Sequence, residues 1–515
     1  TFRHPVVRAG LNAYLFENAN IREQVSWCSK SDHEGATDKA IRLTAAAVAK
    51  ARLAKALVPL RVDAVPRVGV IGGGVAGLTC ARSISRRGLE VELVEASPAL
   101  GGRAGELGRV YPTGELARDR LRELVREVEE DPRIRVHTGT ELVGSSGAVG
   151  DFHLVLRKGT EEIGVEVGVI VLATGFDSYQ PRAGEFGYGE HPGVITLPEL
   201  VRRLAVDGST GGKLDGDGRP VRSVCFIHCV GSRQVEGVHE PGPDGVLHKH
   251  CSRICCTTAL RAANEIRSRF PGVHVSDVYQ DIRTYGHGHE EIYEESLRRG
   301  VLFARHQATD PPRVVRSDSG AFPLEVRVKD TLTFGEEVVL PADLVVLVTG
   351  MVPHKIDKLV DVLKLPRSPD GFLQEVHPKL RPVELAVDGL LIAGTCQAPM
   401  DIPEACASAS AAASKAAGLL ARGYLELDPF VAEIDAESCD GCMQCVAECR
   451  FVNALVVRDD GGKPEVNSAL CRGCGMCASV CPTGALSIRG WEPDQFDAMV
   501  DAIVADYGPV GSSHD

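Results

Sequence analysis

Eight cysteines near the C-terminus repeat one spacing twice. Cys439, Cys442, Cys445 and Cys449 read C-x2-C-x2-C-x3-C, and Cys471, Cys474, Cys477 and Cys481 read the same again 32 residues later. No other feature of the chain limits its fold so tightly. A cubane iron–sulfur cluster needs four thiolates around a tetrahedral set of irons; short C-x2-C loops wrap three corners, and the fourth thiolate comes from the other repeat. The spacing therefore predicts two [4Fe-4S] clusters, one on Cys439, Cys442, Cys445 and Cys481, the other on Cys471, Cys474, Cys477 and Cys449. A zinc ribbon is the competing reading, but it needs only four such cysteines. Pro482 directly after Cys481 also fits the cluster reading. Arg450 stands at the equivalent place in the first repeat and removes no ligand.

The other cysteines matter for compartment. There are 17 in all, an odd number and clustered, which disfavours a secreted disulfide framework and favours metal binding in a reducing cytoplasm. Arg3, His4 and Arg8 are not followed by an uninterrupted apolar stretch, so no secretory signal is expected. The Ala-rich run from Ala40 to Leu60 is broken by Arg42, Lys50, Arg52 and Lys55 and predicts a helix on the surface of a fold, not a membrane span. A net charge of −13 argues against nucleic acid as a partner.

A chain of 515 residues exceeds a single core and predicts several domains. Residues 1–65 read as a helical segment, with an amphipathic helix from about Ala36 to Ala56 prepared by Ser31 and Asp32. Strands and helices alternate from Arg67, as α/β architecture requires. Boundaries are expected at 66–180, 181–350, 351–425 and 426–515. Turn-rich insertions at Gly208 to Pro220 and Glu240 to Gly245 predict exposed loops.

Within the α/β region, Gly72, Gly74 and Gly77 form G-x-G-x-x-G between the strand RVGVI and a helix, and Glu95 ends the next strand. Such glycines let the backbone approach a pyrophosphate at a helix N-terminus, while the acidic residue can take ribose hydroxyls. Gly102 and Arg103, Gly175 in ATG, and Gly394 closing DGLLIAG follow. These motifs resemble those of two-dinucleotide-domain flavoproteins such as thioredoxin reductase, which implies FAD as cofactor and a helix after Pro403 with its positive end near the flavin. Thr395 departs from the Asp that many relatives carry.

A second dinucleotide unit is expected to begin with VRSVCFIH, ending at His228, but its glycine fingerprint is missing. Cys229 follows the strand, and a helix is expected to open with Cys251, placing Cys251 and Cys255 one turn apart with Cys256 beside them. Nicotinamide binding is not expected there. Four thiols can hold a distorted [4Fe-4S] cluster, and a dithiol/disulfide pair is the alternative.

CVGSR with CSRICC, DIRTYGHGHEEIYEES from Asp281, VTGMVP from Val348, QAPMDIPEACASASAAASKA from Gln397 and ANIREQVSW from Ala19 together resemble the A-subunit of heterodisulfide reductase. The resemblance implies a thioredoxin-reductase-like fold with an N-terminal helical segment and a C-terminal α+β bacterial-type ferredoxin domain. It implies a third cluster, on Cys229, Cys251, Cys255 and Cys256, beside FAD. Its implied partners are the other subunits of such a complex, a hydrogenase or formate dehydrogenase, and ferredoxin, with a homodimer suggested by the family. Electron bifurcation is implied as well, although no cysteines lie between Cys80 and Cys225 where relatives carry an inserted ferredoxin domain. Val25 replaces a family cysteine, and Arg261 stands where the family often has Lys. Arg261 and Cys396 are the candidate catalytic residues.

Cys80, Cys225 and Cys406 are expected to be packing thiols. His248 and His250 are expected in solvent, and His287 and His289 in a Gly-rich loop. A stand-alone NAD(P)H:ferredoxin or NAD(P)H:disulfide oxidoreductase and a non-catalytic iron–sulfur scaffold or sensor are the competing functions.

Overall fold

The computed structural model describes residues 2–108, 110, 115–205, 211–216, 219–318, 320–451, 454–457 and 462–507. The chain divides into two compact units, one of residues 64–423 and one joining residues 1–63 to 424–515. The fold is mixed α/β, with two five-stranded sheets in the larger unit.

In the larger unit, β1 (Arg67–Ile71), α1 (Val75–Ser85), β2 (Glu90–Glu95), β3 (Ile134–Thr138) and β4 (Val169–Leu172) begin a parallel sheet. β4 is buried along its whole length, and β1 at every position but Arg67. This is why these strands read as unbroken Val/Ile/Leu runs rather than alternating ones. The chain then builds a second parallel sheet from β5 (Val194–Thr196), β6 (Ser223–Val230), α2 (Cys255–Arg269), β7 (His274–Tyr279), β8 (Leu302–Arg305) and β9 (Leu344–Thr349), in the order β5-β9-β6-β7-β8. It returns with β10 (Leu390–Ile392), which completes the first sheet beside β4, and with the long helix α3 (Ile402–Leu420). Three-stranded antiparallel excursions at 141–167 and 313–342 precede β4 and β9. The two crossings between the sheets, Phe176–Ser178 and Met351–Pro353, pair antiparallel.

The small residues of α3 have a packing reason. Ala409, Ala412, Ala413 and Ala416 are buried where α3 packs on α1, and side chains that short let two helices approach closely. Asp401 caps α3 by accepting from the Glu404 amide, and the Glu404 carboxylate accepts in return from the Asp401 amide.

In the smaller unit, Leu60–Asp63 pairs antiparallel with Tyr424–Leu427. The amphipathic helix spans His33–Arg52, capped by Asp32 as expected but starting three residues earlier, and packs on Pro493–Val504. Arg42 donates to the Ile503 and Ala505 carbonyls at the end of that helix, where a cation is favoured. Lys50 is buried, with its ammonium 2.8 Å from Glu17 and 3.1 Å from the centre of the Trp491 ring. The cysteine repeats supply two short helices, α4 (Gln444–Glu448) and α5 (Met476–Ser479).

Of the expected loop from Gly208 to Pro220, residues 208–210 and 217–218 lie outside the described ones. The rest contains a two-residue ladder between Asp215–Gly216 and Arg219–Pro220. Among the described residues no helix is long and apolar enough to cross a membrane.

Candidate functional site: a flavin cradle, a middle cysteine set and a dicluster domain

The G-x-G-x-x-G segment forms a cradle that only glycine allows. Gly72 adopts φ +113°, and a Cβ there would lie 2.3 Å from the Ala173 carbonyl oxygen. A Cβ on Gly77 would lie 1.8 Å from the Gly72 carbonyl, so α1 sits directly on the turn that precedes it. Gly74 and Gly175 face open space, and the turn at Gly394 meets Ala76 of α1. Gly72, Gly74, Gly77, Gly175 and Gly394 are thus gathered at the C-terminal ends of β1, β4 and β10. Glu95, at the end of β2, accepts from the Gly73 amide at 2.6 Å and the Ser97 amide at 2.7 Å, bracing the same loop. Gly102 abuts Gly74 at φ +55°. This arrangement fits the pyrophosphate and ribose of an FAD.

The corresponding place in the second sheet is filled by protein. Gly231 follows β6, and the Tyr179 ring lies so close that a Cβ on Gly231 would meet its Cγ at 2.0 Å. Tyr179 is buried and anchored through its hydroxyl to Glu185 at 2.9 Å. No phosphate can approach that backbone while the ring is there.

The cysteine segment differs from its expected form. β6 runs to Val230 rather than ending at His228, and Cys229 bends it with φ +62°. The helix opens at Cys255, not Cys251. Residues 251–254 form a loop because Ser252, fully buried, bonds Ser232 Oγ at 3.2 Å and accepts from the Met351 amide at 2.8 Å, while Arg253 takes φ +62°. Cys251 and Cys255 are therefore not helical neighbours, yet all four thiols interact. Cys255 is raised well above the usual thiol value, first by its hydrogen bond with Cys256 and then by burial, with Cys229 and Cys251 adding to it. Cys256 is lowered by that same bond, against burial, and also by His228. Burial raises Cys229, although Arg233 reaches within 4.0 Å of its sulfur. Cys255 and Cys256 occupy the first turn of α2, where the helix's positive end favours thiolate.

The groups beneath the thiols carry no motif of their own. His228 Nε2 and Asp277 Oδ1, on adjacent strands β6 and β7, lie 2.6 Å apart with both side chains 0% exposed. Their contact is an ion pair rather than an aligned hydrogen bond. Burial alone would lower the His228 ring; Asp277 and then Cys256 overcome it and raise the ring well above the usual imidazole value. A His one residue before a candidate ligand was the only signal in the sequence, since Asp277 enters from a separate strand.

The C-terminal repeats also share a backbone shape. Gly441 and Gly473 have φ +74° and +59°, and Met443 and Gly475, the caps of α4 and α5, have φ +60° and +80°. Two left-handed residues per C-x2-C-x2-C segment turn the chain back on itself, so its thiols face one side. Cys445 and Cys477 are buried in a core to which Cys449, Cys471 and Cys481 contribute. Cys439 and Cys442 act on Cys445, as Cys471 and Cys474 do on Cys477. Among the described residues no three His, Cys, Asp or Glu side chains converge on a single metal ion. A cubane places each thiolate on a separate iron, so its ligands stand farther apart than those of one ion.

Comparison with known proteins agrees with these features. Residues 70–115 match a family model described as an NAD(P)-binding Rossmann-like domain, and residues 438–485 match one described as a 4Fe-4S dicluster domain. The second iron-sulfur A-subunit of CoB–CoM heterodisulfide reductase from Methanopyrus kandleri is 36% identical over 90% of this chain and 80% of its own length. The A-subunit of the H2:CoB-CoM heterodisulfide,ferredoxin reductase of Methanothermobacter marburgensis is 35% identical over 91% of this chain and 81% of its own.

The chain belongs to the heterodisulfide reductase A-subunit family.

A solved thioredoxin reductase from T. acidophilum, 15% identical, covers 68% of this chain and 98% of its own, with a TM-score of 0.46. As a member of the heterodisulfide reductase A-subunit family the chain is an oxidoreductase, an iron–sulfur flavoprotein that transfers electrons.

Other candidate residues have structural roles. Arg103 bonds the Phe176 carbonyl and Asp177 Oδ1, whose other oxygen receives His354 Nδ1 at 2.8 Å. It therefore braces the crossing between the two sheets at the cradle's edge. Cys396 is buried behind the Gly394 turn, its sulfur 3.4 Å from the Leu172 carbonyl; burial raises it, which suits packing better than attack. Arg261 lies on α2, partly buried. Burial pushes Cys80 and Cys225 up to about 12. His248 corrects expectation: it is buried, 2.9 Å from Asp244, and His250 bonds the Met351 carbonyl at 2.8 Å. The insertion carrying them folds back between Gln234 and the crossing strand instead of extending into solvent. His289 opens the helix His289–Arg298 rather than lying in a loop.

Proposed function

We propose that this chain is the FAD- and [4Fe-4S]-carrying hub of a heterodisulfide-reductase-like complex, with three cubane-type sites. Two lie in the dicluster domain on the eight repeat cysteines, paired across repeats as their spacing requires, and the third is held by Cys229, Cys251, Cys255 and Cys256. Bound FAD supplies a centre that accepts an electron pair and releases single electrons, and the clusters carry those singly. The glycine cradle holds the pyrophosphate, Glu95 braces its loop, and the positive ends of α1 and α3 face the bound anion. Tyr179 keeps a nucleotide out of the second sheet, leaving the four thiols to take that position. Filling the nicotinamide place with a ring and four thiols is the observation that favours this reading over a stand-alone NAD(P)H oxidoreductase.

The electron donor in this proposal is a hydrogenase or a formate or other dehydrogenase. The acceptors are ferredoxin and a disulfide-reducing subunit, by bifurcation where both are served, and the cytoplasm is the compartment. The test is anaerobic purification of the chain with its partners, followed by iron and flavin analysis. About twelve irons and one FAD per chain are expected, and the Cys255→Ser variant should lose about four. Eight irons in both proteins would instead make Cys255 and Cys256 a dithiol.

A further inference from the structure

Between the middle cysteine loop and the flavin cradle stands a side chain whose bonds join the two. Arg253 sits in the loop at φ +62°, a conformation that strains a non-glycine residue and persists only where surrounding contacts enforce it. Its guanidinium, partly buried, donates to the Tyr285 hydroxyl, to the Pro399 carbonyl at 3.0 Å and to Glu404 Oε1 at 2.6 Å. Glu404 is no ordinary surface acid. Its second oxygen accepts from the Asp401 amide at 3.1 Å and so closes the cap of α3. A second strut runs parallel: Thr257, on α2, meets His289 Nδ1 at 3.0 Å, and His289 Nε2 lies 3.9 Å from Asp401. Of the two capping carboxylates of α3, Glu404 is bonded to the cysteine-bearing segment and Asp401 lies beside a residue bonded to it. α3 itself belongs to the cradle, since Gly394 donates to Ser408 at 3.2 Å and the Gly394 turn packs on α1. On its other side the loop is pinned by Ser252 to Ser232 and the Met351 amide.

We propose that Arg253 is a positioning residue that fixes the distance and orientation between the middle iron–sulfur cluster and the flavin, and so sets how fast an electron passes between them. The inference rests on the cluster assignment above. In the step concerned one electron leaves the reduced flavin and reduces the cluster by one, and no bond forms or breaks at Arg253. Tunnelling falls steeply with separation, so a loop held by three bonds, one of them to the capping carboxylate of α3, transmits faster than one free to drift. A guanidinium serves because it reaches three acceptors at once in a fixed plane, which an ammonium cannot do.

The test uses the full chain, loaded with FAD and iron, in Arg253→Ala, Arg253→Lys and Glu404→Gln forms. Iron and FAD are counted first. The magnetic coupling between one-electron-reduced flavin and the cluster is then read by electron paramagnetic resonance, and flavin reoxidation by the cluster is followed after rapid reduction with dithionite. Arg253→Ala is expected to keep its iron, to weaken the coupling and to slow the transfer several-fold. Arg253→Lys should recover part of both. Arg253→Ala with full iron but unchanged coupling and rate overturns the proposal. If Arg253→Ala loses iron, Glu404→Gln decides, because it leaves the cysteine loop intact. Weaker coupling there supports the proposal and unchanged coupling refutes it. Failure of the underlying cluster reading is seen separately, as Cys255→Ser retaining all its iron.

Discussion

Replacing Asp277 with Asn removes half of a charge pair that water never reaches. In the parent chain the carboxylate lies 2.6 Å from His228 with neither side chain exposed, and the ring is raised well above its ordinary value against the pull of burial. Asn keeps the volume and removes the charge, so His228 must either stay charged without a counter-ion or give up its proton in place. Breaking a buried pair from one side costs about 3–5 kcal/mol. At about 1.3 °C per kcal/mol for a unit spanning residues 64–423, its midpoint should fall by roughly 4–7 °C. Replacing both groups with Leu removes the two charges together and should be neutral or stabilising by about 1–4 kcal/mol. Flavin release on heating reports this unit separately, which matters because a two-unit chain need not melt in one step. The single variants His228→Leu and Asp277→Leu close a double-mutant cycle with that double variant, with a coupling of up to about 3 kcal/mol expected for groups in contact. Asp277→Asn within about 1 kcal/mol of the parent, together with a cycle showing no coupling, would falsify the reading of this pair as a charged one.

Three further outcomes follow from the same geometry. Gly77→Ala puts a methyl 1.8 Å from the Gly72 carbonyl, so the protein should purify without flavin colour while retaining the iron of its dicluster domain. Asp177 is lowered and His354 raised, in each case first by their shared hydrogen bond. The Asp177 contribution is present above about pH 4 and lost as pH falls through its lowered folded value; the His354 contribution is complete below about pH 6.5 and lost as pH rises through its raised one. Denaturation midpoints of the parent and Asp177→Asn should therefore differ most between about pH 4 and 6.5, converge as pH falls further, and narrow only in part as pH rises, because Asp177 still pairs with Arg103. Chelating the iron should make residues around α4 and α5 protease-sensitive and leave the flavin bound. Those helices have five and four residues, too few to hold their shape without the metal their thiols surround.

The parts legible in the sequence were those whose chemistry is carried by residues close together in the chain. The two cysteine repeats and the glycine turn before α1 are of this kind, because wrapping a cluster or approaching a pyrophosphate dictates both residue type and spacing. The caps of α3 and of the helix at His33 were equally local. What escaped was assembled across elements. Asp277 reaches His228 from the next strand, 49 residues on, and Tyr179 reaches Gly231 from just past a crossing strand, 52 residues back. The loop at Cys251 was misread as helix because its residue types permit helix. Ser252, an ordinary serine in sequence, is held out of helical form by Ser232 and Met351, which only the fold brings near.

The same contrast separates the middle cysteine set from the dicluster domain. In the repeats, left-handed positions fall mostly on glycine, so the backbone turns at little cost. Around the middle set, Cys229, Arg233 and Arg253 all take positive φ without being glycine, and the ion pair beneath them is stripped of water. Strain and buried charge of this order are retained only if contacts from several elements enforce them. Those contacts, Arg253 to Glu404, Arg233 to Asp281 and Ser252 to Met351, run outward from the four thiols to the flavin helix, to the end of β7 and to the crossing strand. The thiols are therefore the point on which the larger unit's separate layers are braced. Geometry at a redox centre placed there is set by the whole unit rather than by its own loop.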